Sequence, residues 1–329
     1  MDFLFDSFLG TPVWFWLAFL GIVVVLTAFD LGFLHKEDKE MGIAESLKLS
    51  AFYISIALAF GIWVWLQKGA DLGMKYYTGF FIEKALSIDN VFVISLIFTY
   101  FAIPAKYQYR ALLWGIIAVI VLRGIMIALG AALVEQFYWT LYIFAVFLVG
   151  TGIKMLIKGE QEMDVANNPV VRFANKHFRV TKELHGQKFL VKVQDEKTGK
   201  MVRAMTPLLL ALIVINIADL IFAVDSVPAI FAITTDTFIV YTSNIMAILG
   251  LRALYFALAA MVHRFHYLQF ALALVLIFIG SKIFISDFLM GGAKFPPVLS
   301  LAVTFGLILG GILYSLWKTK GENTTTPSH

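Results

Sequence analysis

Two apolar segments, one in each half of this 329-residue chain, carry nearly the same acidic pattern. Each has an acid, a second acid six positions later and a short polar residue directly after it: Glu83, Asp89 and Asn90 in the first, and Asp219, Asp225 and Ser226 in the second. An acid at the centre of a membrane helix costs about 3 kcal/mol, so four such acids without partners cost on the order of 10 kcal/mol. The pattern therefore predicts a positively charged partner, and a cation is the simplest one.

The ligands available at these positions are oxygen atoms. Carboxylate, amide, hydroxyl and backbone carbonyl groups suit hard or borderline ions such as Mn²⁺, Mg²⁺ or Ca²⁺. The chain has no cysteine, which excludes thiolate metal sites, and no histidine falls within the predicted spans. We therefore predict a divalent cation as the substrate and no prosthetic group. Clustered acids raise one another's pKa, so exchange of the metal for protons is a further hypothesis.

Two arginines, Arg123 and Arg252, also fall near the middle of apolar segments. An arginine inside the bilayer usually neutralises a buried acid. Two arginines against four acids leave a formal charge of about −2, which matches one divalent ion. We therefore predict that these arginines balance the charge of the site.

The composition, with 60% hydrophobic and 15% charged residues, is that of a membrane protein. A window of about 20 residues finds apolar stretches that predict an all-α polytopic protein. Nine spans are predicted, at Val13–Phe33, Leu47–Leu66, Gly73–Phe101, Ala111–Leu133, Tyr138–Ile157, Pro207–Phe231, Phe238–Met261, Leu268–Phe288 and Val298–Trp317.

Basic residues follow every odd-numbered span, for example Lys106 and Arg110 after the third and Lys318 after the ninth. The positive-inside rule then places the N-terminus outside and the C-terminus in the cytoplasm of a bacterial inner membrane. The net charge of +4 is small and serves as a topology signal, so we predict the lipid bilayer and no nucleic acid as a partner.

The acidic patterns belong to a longer internal repeat. Spans three to five (73–157) resemble spans six to eight (206–288), for example at Gly152-Ile153-Lys154 and Gly280-Ser281-Lys282. Because each unit has an odd number of spans, the second must cross the membrane in the opposite sense. Inverted repeats of this kind are typical of secondary transporters, which bind substrate near the midplane at the repeat interface.

The other parts of the chain are a two-helix segment (1–72), a cytosolic loop (158–205) and a C-terminal helix with a tail (289–329). In the loop, the sequence predicts a helix starting at Asn168-Pro169, a strand at Lys188–Val193, a turn at Asp195–Gly199 and a returning strand at Met201–Met205.

Helix geometry sets a condition on the site. Glu83 and Asn90 share a helical face, whereas Asp89 is rotated by about 100° from Asn90. Glu83 and Asp89 can therefore point at the same ion only if the helix of the third span is broken between them. In the second copy, Pro228 cannot donate to the carbonyl of Val224, which favours a break there.

Two alternatives compete with transport. An intramembrane aspartyl protease is disfavoured because such enzymes carry Gly-x-Gly-Asp, whereas Asp89 follows Leu86-Ser87-Ile88. We therefore predict no enzymatic activity. A scaffold that uses its acids only in helix–helix salt bridges stays open, although two arginines are too few for four acids.

Four segments of the chain resemble the TerC family, which is named for tellurium resistance. The paired signatures of that family are matched at Phe81–Val93 and Asp219–Ala232, and further similarity lies at Asn168–Arg172 and Ser243–Arg252. The resemblance runs from about Asp30 to Trp317 and is close to the Alx branch. It implies an inner-membrane protein of the superfamily of LysE-type exporters and associates the chain with Mn(II) export.

Carried onto this chain, the resemblance places the family's acids at Glu83, Asp89, Asp219 and Asp225. Asn216 is a departure, since many relatives have Glu there, and Asp30 is a weaker candidate for the ion pathway. A tellurite anion would be repelled by such a site, so a scaffold in a tellurium- or metal-resistance complex remains the alternative role.

Overall fold

The computed structural model describes residues 2–33, 42–158, 169–181, 183–194, 201–258, 267–291 and 295–322. The helices are α1 (Val13–Phe33), α2 (Ile43–Lys68), α3 (Ala70–Tyr100), α4 (Ala105–Gln136), α5 (Thr140–Lys158), α6 (Pro169–His177), α7 (Pro207–Phe231), α8 (Thr237–Leu249), α9 (Leu251–Leu258), α10 (Leu268–Phe284) and α11 (Pro297–Glu322). A 3₁₀ turn (Asp2–Phe5) precedes α1, and a π-helical turn (Ile285–Leu289) extends α10.

The all-α polytopic class is confirmed. Within the described ranges, seven helices are long and apolar enough to cross a membrane: 13–30, 43–68, 105–136, 140–157, 207–231, 268–289 and 297–318. Helix α3 has 31 residues but is more highly charged, and α8 has only 13. The number of spans, nine, stays a prediction.

The helix breaks differ from those expected from the sequence. Helix α3 is continuous from Ala70 to Tyr100, and α7 continues through Pro228 to Phe231. Pro228 is tolerated because it lies in the last turn, where its missing N–H removes one hydrogen bond. The interruption is instead at Gly250, which divides the seventh predicted span into α8 and α9. The predicted end of that span, residues 259–261, lies outside the described ranges.

Helices α5 and α10 pack closely through equivalent glycines of the two predicted repeats. A Cβ on Gly152 would lie 2.7 Å from the carbonyl oxygen of Ala273, and one on Gly280 would lie 2.6 Å from that of Ala145. Each alanine precedes the glycine of its own helix by seven residues, so the contact is reciprocal and the helices are antiparallel. A twofold axis between two inverted units produces this arrangement, although the repeat as a whole stays a prediction.

In the central bundle, the first helix of each predicted repeat packs against the second helix of the other. Helix α3 packs along α8, α4 packs along α7, and α3 also contacts α7. The buried apolar cores on either side include Val91 with Val214 and Phe80 with Ile245. This packing places the middle of α3, α4, α7 and α8 around one point.

Small β-structures lie outside the bundle. Strands β1 (Ser7–Phe8) and β2 (Thr11–Pro12) form a short antiparallel pair before α1. Strand β3 (Leu190–Gln194) pairs antiparallel with β4 (Met201–Met205), which leads into α7. The turn predicted at Asp195–Gly199 lies outside the described residues. On α6, Val171 is buried whereas Phe173 is exposed, so only part of its apolar face packs on the protein.

Candidate functional site

A buried ion-pair network occupies the middle of the bundle. Glu83 is close to the midpoint of α3 and Asp219 is the central residue of α7, and Arg123 of α4 lies between them. The exposed fractions are 3% for Glu83, 9% for Asp219 and 1% for Arg123. The sequence predicted these three side chains to belong to one site, and the packing of α3, α4 and α7 brings them together.

The guanidinium of Arg123 binds both acids. Its Nη1 donates to Oε1 of Glu83 at 2.5 Å, while Nη2 and Nε donate to Oδ1 and Oδ2 of Asp219 at 3.2 and 3.3 Å. The planar fork of an arginine matches a carboxylate in this two-point manner, which a lysine does not reproduce. The contact therefore fixes the relative position of α4 and α7 as well as neutralising charge.

Neutral polar groups complete the network. Nη1 of Arg123 also donates to Oγ of Ser226 and Oδ1 of Asn244, both at 2.9 Å. Nδ2 of Asn90 donates to Oδ1 of Asp219 at 3.2 Å, and Nδ2 of Asn244 donates to Oε2 of Glu83 at 2.9 Å. All four carboxylate oxygens of the two acids thus accept a hydrogen bond.

Helical periodicity explains which polar residues belong to the ion-pair network. Glu83 and Asn90 are seven positions apart on α3, as are Asp219 and Ser226 on α7, so each pair faces one side of its helix. Ser87 lies on the same face as Glu83, and its hydroxyl donates to the Glu83 backbone carbonyl at 2.7 Å. The network therefore contains residues from equivalent positions of the two predicted repeats.

The electrostatic balance of the network is negative. Two carboxylates and one guanidinium sum to a formal charge of −1 (−2 + 1). An arginine stays protonated in proteins, so Arg123 cannot lose its charge to relieve its burial. Burial of these three charged groups costs desolvation free energy, and their mutual attraction offsets this cost only while every ion keeps its partners.

The structure places Asp225 apart from this network. It is half-buried and accepts a hydrogen bond at 3.3 Å from Oγ1 of Thr151 on α5. Its position directly before Ser226 rotates it by about 100° around α7, away from Asp219. The side chains of Asp89 and Arg252 lie outside the described residues, although their backbones are helical.

The described side chains do not by themselves form a metal cage. Within the described part of the chain, no three His, Cys, Asp or Glu side chains lie close enough together to hold a metal ion. Glu83 and Asp219 supply two carboxylates, and Asn90 and Ser226 supply neutral oxygens beside them. The six-residue metal site with Asp89 and Asp225 stays a prediction.

A small cavity adjoins the network. It measures about 30 Å³, which is enough for one water molecule, and Asn90 and Asp219 are its polar lining. The rest of the lining is apolar, including Ile94 of α3, Leu112 of α4 and Phe222 of α7. In the predicted orientation this cavity lies on the cytoplasmic side of the ion pairs.

Two other residues singled out in the sequence lie away from the ion pairs. Asn216 donates to the carbonyl of Leu212 at 2.8 Å, and its Oδ1 is buried without a hydrogen bond. Asp30 is buried and accepts a short hydrogen bond from the hydroxyl of Tyr53, while Tyr109 donates to its carbonyl at 2.9 Å. Asp30 therefore ties α1 to α2 and α4.

Asn244 is the participant that sequence reasoning did not identify as functional. It is fully buried on α8 and bridges Glu83 and Arg123. The available signal was a carboxamide in the middle of an apolar span, where an unpaired polar group is costly. No spacing rule singled it out.

These features define a polytopic helical membrane protein with a buried ion-pair network where its central helices meet. The family model described as "Integral membrane protein TerC family" matches residues 68–323. The chain therefore belongs to the TerC family, as the resemblance in its sequence predicted.

Several bacterial membrane proteins are similar to this chain. An uncharacterized membrane protein of Rickettsia felis is 48% identical over 301 residues, which cover 92% of this chain and 97% of the relative. The Alx protein of Escherichia coli K12, provisionally named a membrane-bound redox modulator, is 40% identical over 94% of this chain and 95% of its own length. An Alx protein of Photorhabdus laumondii is 40% identical over 96% and 98%. No solved structure matches the chain.

Proposed function

We propose that this protein transports a divalent metal ion, foremost Mn(II), out of the cytoplasm across a bacterial inner membrane. The observation that carries the proposal is the meeting of Glu83 and Asp219, two buried acids from different helices, at the centre of the bundle. Acids inside a membrane domain are rare and usually mark an ion pathway. Their origin in two equivalent helices is what a transporter with inverted repeats requires.

The donor set favours the same class of substrate. Carboxylate, amide and hydroxyl oxygens from Glu83, Asp219, Asn90 and Ser226 are the ligands that Mn²⁺ and Mg²⁺ prefer. Since the chain has no cysteine, its own side chains cannot perform thiol redox chemistry. For this reason we do not propose for this chain the redox role that the name of the Alx relatives mentions.

In this proposal Arg123 holds the two acids together while no metal is bound. An incoming dication competes with the guanidinium for Glu83 and Asp219, because both offer positive charge to the same oxygens. Asp89 and Asp225 would add the charge needed to retain the ion, and Arg252 would balance it. Because α3 is continuous, we propose that the site changes during transport by motion of whole helices rather than by a local break in α3.

Exchange for protons is the proposed coupling. When a dication leaves the site, its carboxylates are left facing one another, and protonation is one way to relieve this repulsion. Purified protein in liposomes that contain a pH-sensitive dye tests the coupling. Proton movement opposite to Mn(II) supports it, whereas Mn(II) flux that neither moves protons nor responds to a proton gradient contradicts it.

A scaffold without transport activity is the second candidate, and one observation favours it. All four carboxylate oxygens of Glu83 and Asp219 already accept hydrogen bonds from other helices. A network that only held helices together would have this property. The separate position of the half-buried Asp225 is the feature that such a role leaves unexplained.

Intracellular Mn content separates the two candidates. Cells loaded with Mn(II) express the wild type, Asp219→Asn, Asp225→Asn or the control Asp71→Asn, at matched levels in the membrane. Asp71 is an exposed acid at the start of α3 that pairs with Lys75. Transport predicts low Mn with the wild type and the control, and high Mn with the other two. Equal Mn in all four strains favours the scaffold.

A further inference from the structure

Lys84 places a second positive charge in the middle of the bundle. It follows Glu83 on α3, about 20 Å from either end of this 31-residue helix. A lysine at such a depth is costly unless it has a partner. Among the described residues, none of the ion pairs includes Lys84.

The partner of Lys84 is a backbone carbonyl at the end of a half-helix. Its Nζ donates to the carbonyl oxygen of Ala247 at 3.1 Å. Ala247 belongs to the last turn of α8, which ends at Leu249 before the break at Gly250. Among the described backbone hydrogen bonds across this break, none joins the amide of Leu251 to this carbonyl. Lys84 thus supplies the donor that the interrupted helix lacks.

The end of α8 attracts a cation for a general reason. The last carbonyls of a helix lack intrahelical donors and carry the negative end of the helix dipole. In transporters with inverted repeats, such half-helix ends and unwound carbonyls bind the coupling Na⁺ or proton. Here an ammonium group occupies that position.

The space around the break is filled. A Cβ on Gly250 would lie 3.1 Å from Nζ of Lys84 and 3.0 Å from Cβ of Tyr53. Gly250, at the break, is therefore in close contact with Lys84 of α3 and Tyr53 of α2. The same half-helix carries Asn244, which holds Glu83, so the break and the ion-pair network share one rigid element.

We propose that Lys84 is a tethered cation that takes the place of a coupling Na⁺ ion at the C-terminal end of α8. The protein then needs no sodium, and removal of the ammonium uncovers a latent site for a small monovalent cation. The role of this cation in a transport cycle rests on the proposed function, whereas the latent site does not.

The test measures thermal unfolding of the purified full-length chain in lipid nanodiscs. The wild type, Lys84→Ala and the control Lys75→Ala are compared in NaCl and in N-methylglucamine chloride of equal ionic strength. We expect NaCl to raise the midpoint of Lys84→Ala alone, by about 3 to 6 °C for each tenfold excess of Na⁺ over its dissociation constant. Equal midpoints of Lys84→Ala in the two salts, or the same increase in the wild type, overturn the proposal.

A second variant keeps the proposal testable if Lys84→Ala does not fold. Because the chain has no cysteine, Lys84→Cys provides a single thiol. An aminoethyl methanethiosulfonate reagent restores a tethered ammonium there, whereas the methyl reagent adds no charge. We expect sodium dependence with the methyl group and none with the aminoethyl group. Equal sodium responses of both adducts contradict the proposal.

The two proposals fail in different ways. Sodium dependence of Lys84→Ala together with absent Mn(II) flux in the wild type removes only the transport function. Mn(II) flux in the wild type with a sodium-insensitive Lys84→Ala removes only the tethered cation.

Discussion

Loss of the Arg123 charge is the perturbation whose effect the structure defines most clearly. In Arg123→Met, Glu83 and Asp219 lose the guanidinium that lies 2.5 Å from one and 3.2 Å from the other. The formal charge of the network changes from −1 to −2, while the flexible methionine fills much of the same space. Two like charges then face each other in a buried site.

The magnitude follows from the burial of this ion pair. Removal of one partner of a buried salt bridge costs about 3 to 5 kcal/mol, because the other partner stays uncompensated. Each kcal/mol lowers the midpoint of a large domain by about 2 to 4 °C. We therefore expect Arg123→Met to lower the unfolding midpoint by about 6 to 20 °C.

The assay compares thermal unfolding of purified variants in nanodiscs. The control is Lys75→Met, which removes a pair with the exposed Asp71 on α3 and is expected to cost less than about 1 kcal/mol. The triple variant Glu83→Gln, Arg123→Met, Asp219→Asn removes all three charges. Because neither carboxylate is then left without its guanidinium partner, this variant is expected to recover most of the lost stability.

Two results refute this reasoning. The first is a midpoint for Arg123→Met that equals that of the Lys75→Met control. The second is a triple variant that is no more stable than Arg123→Met, since the loss then comes from packing and not from uncompensated carboxylates.

Three further variants test other parts of the structure. Asn244→Leu leaves one oxygen of Glu83 without its donor and should cost about 1 to 3 kcal/mol, measured by thermal unfolding; an unchanged midpoint contradicts the bridge. Gly152→Ala forces a methyl group against a backbone carbonyl and should destabilise the folded protein by about 1 to 3 kcal/mol. The control Gly150→Ala, whose methyl group meets open space, should leave the stability unchanged. Equal unfolding midpoints of the two variants contradict the close α5–α10 contact. Asn216→Glu restores a carboxylate one turn before the central acid of α7 and should tighten Mn(II) binding about tenfold in calorimetric titration; weaker or unchanged binding counts against a metal near this face.

Much of the architecture followed from the sequence because hydrophobic length and charge dominate in a bilayer. Spans such as Val13–Phe33 and Pro207–Phe231 begin and end where apolar sequence meets loop residues, and the structure gives helices with the same bounds. The choice of Glu83, Asp219 and Arg123 as partners followed from the cost of leaving charges unpaired in an apolar segment.

The helix breaks were not predictable by the same reasoning. Pro228 signals a lost hydrogen bond, but it lies in the last turn of α7, and the helix continues past this residue to Phe231. Gly250 carries a weak signal, because glycine is common in unbroken membrane helices. Its role depends on close contact with Tyr53 and Lys84, which come from two other helices.

The direction of each polar side chain was only partly predictable. Seven-residue spacing placed Asn90 beside Glu83 on one helical face, in agreement with the structure. Whether Asp225 faces the same point depends on how α7 is rotated against α5, and Thr151 is its partner there. Such rotations are set by packing between distant segments, which one sequence does not display.

Mn(II) flux through the purified protein is the most direct test of the central claim. The wild type, Glu83→Gln, Asp219→Asn and the control Asp71→Asn are reconstituted into liposomes that contain a Mn(II)-quenched fluorophore. If the protein transports Mn(II), the ion enters liposomes that hold the wild type or the control. The rate decreases by about an order of magnitude with either central variant, since each removes one of two carboxylates that face the ion. Folded wild type that admits no more Mn(II) than empty liposomes, or equal rates in all four proteins, would contradict the central claim.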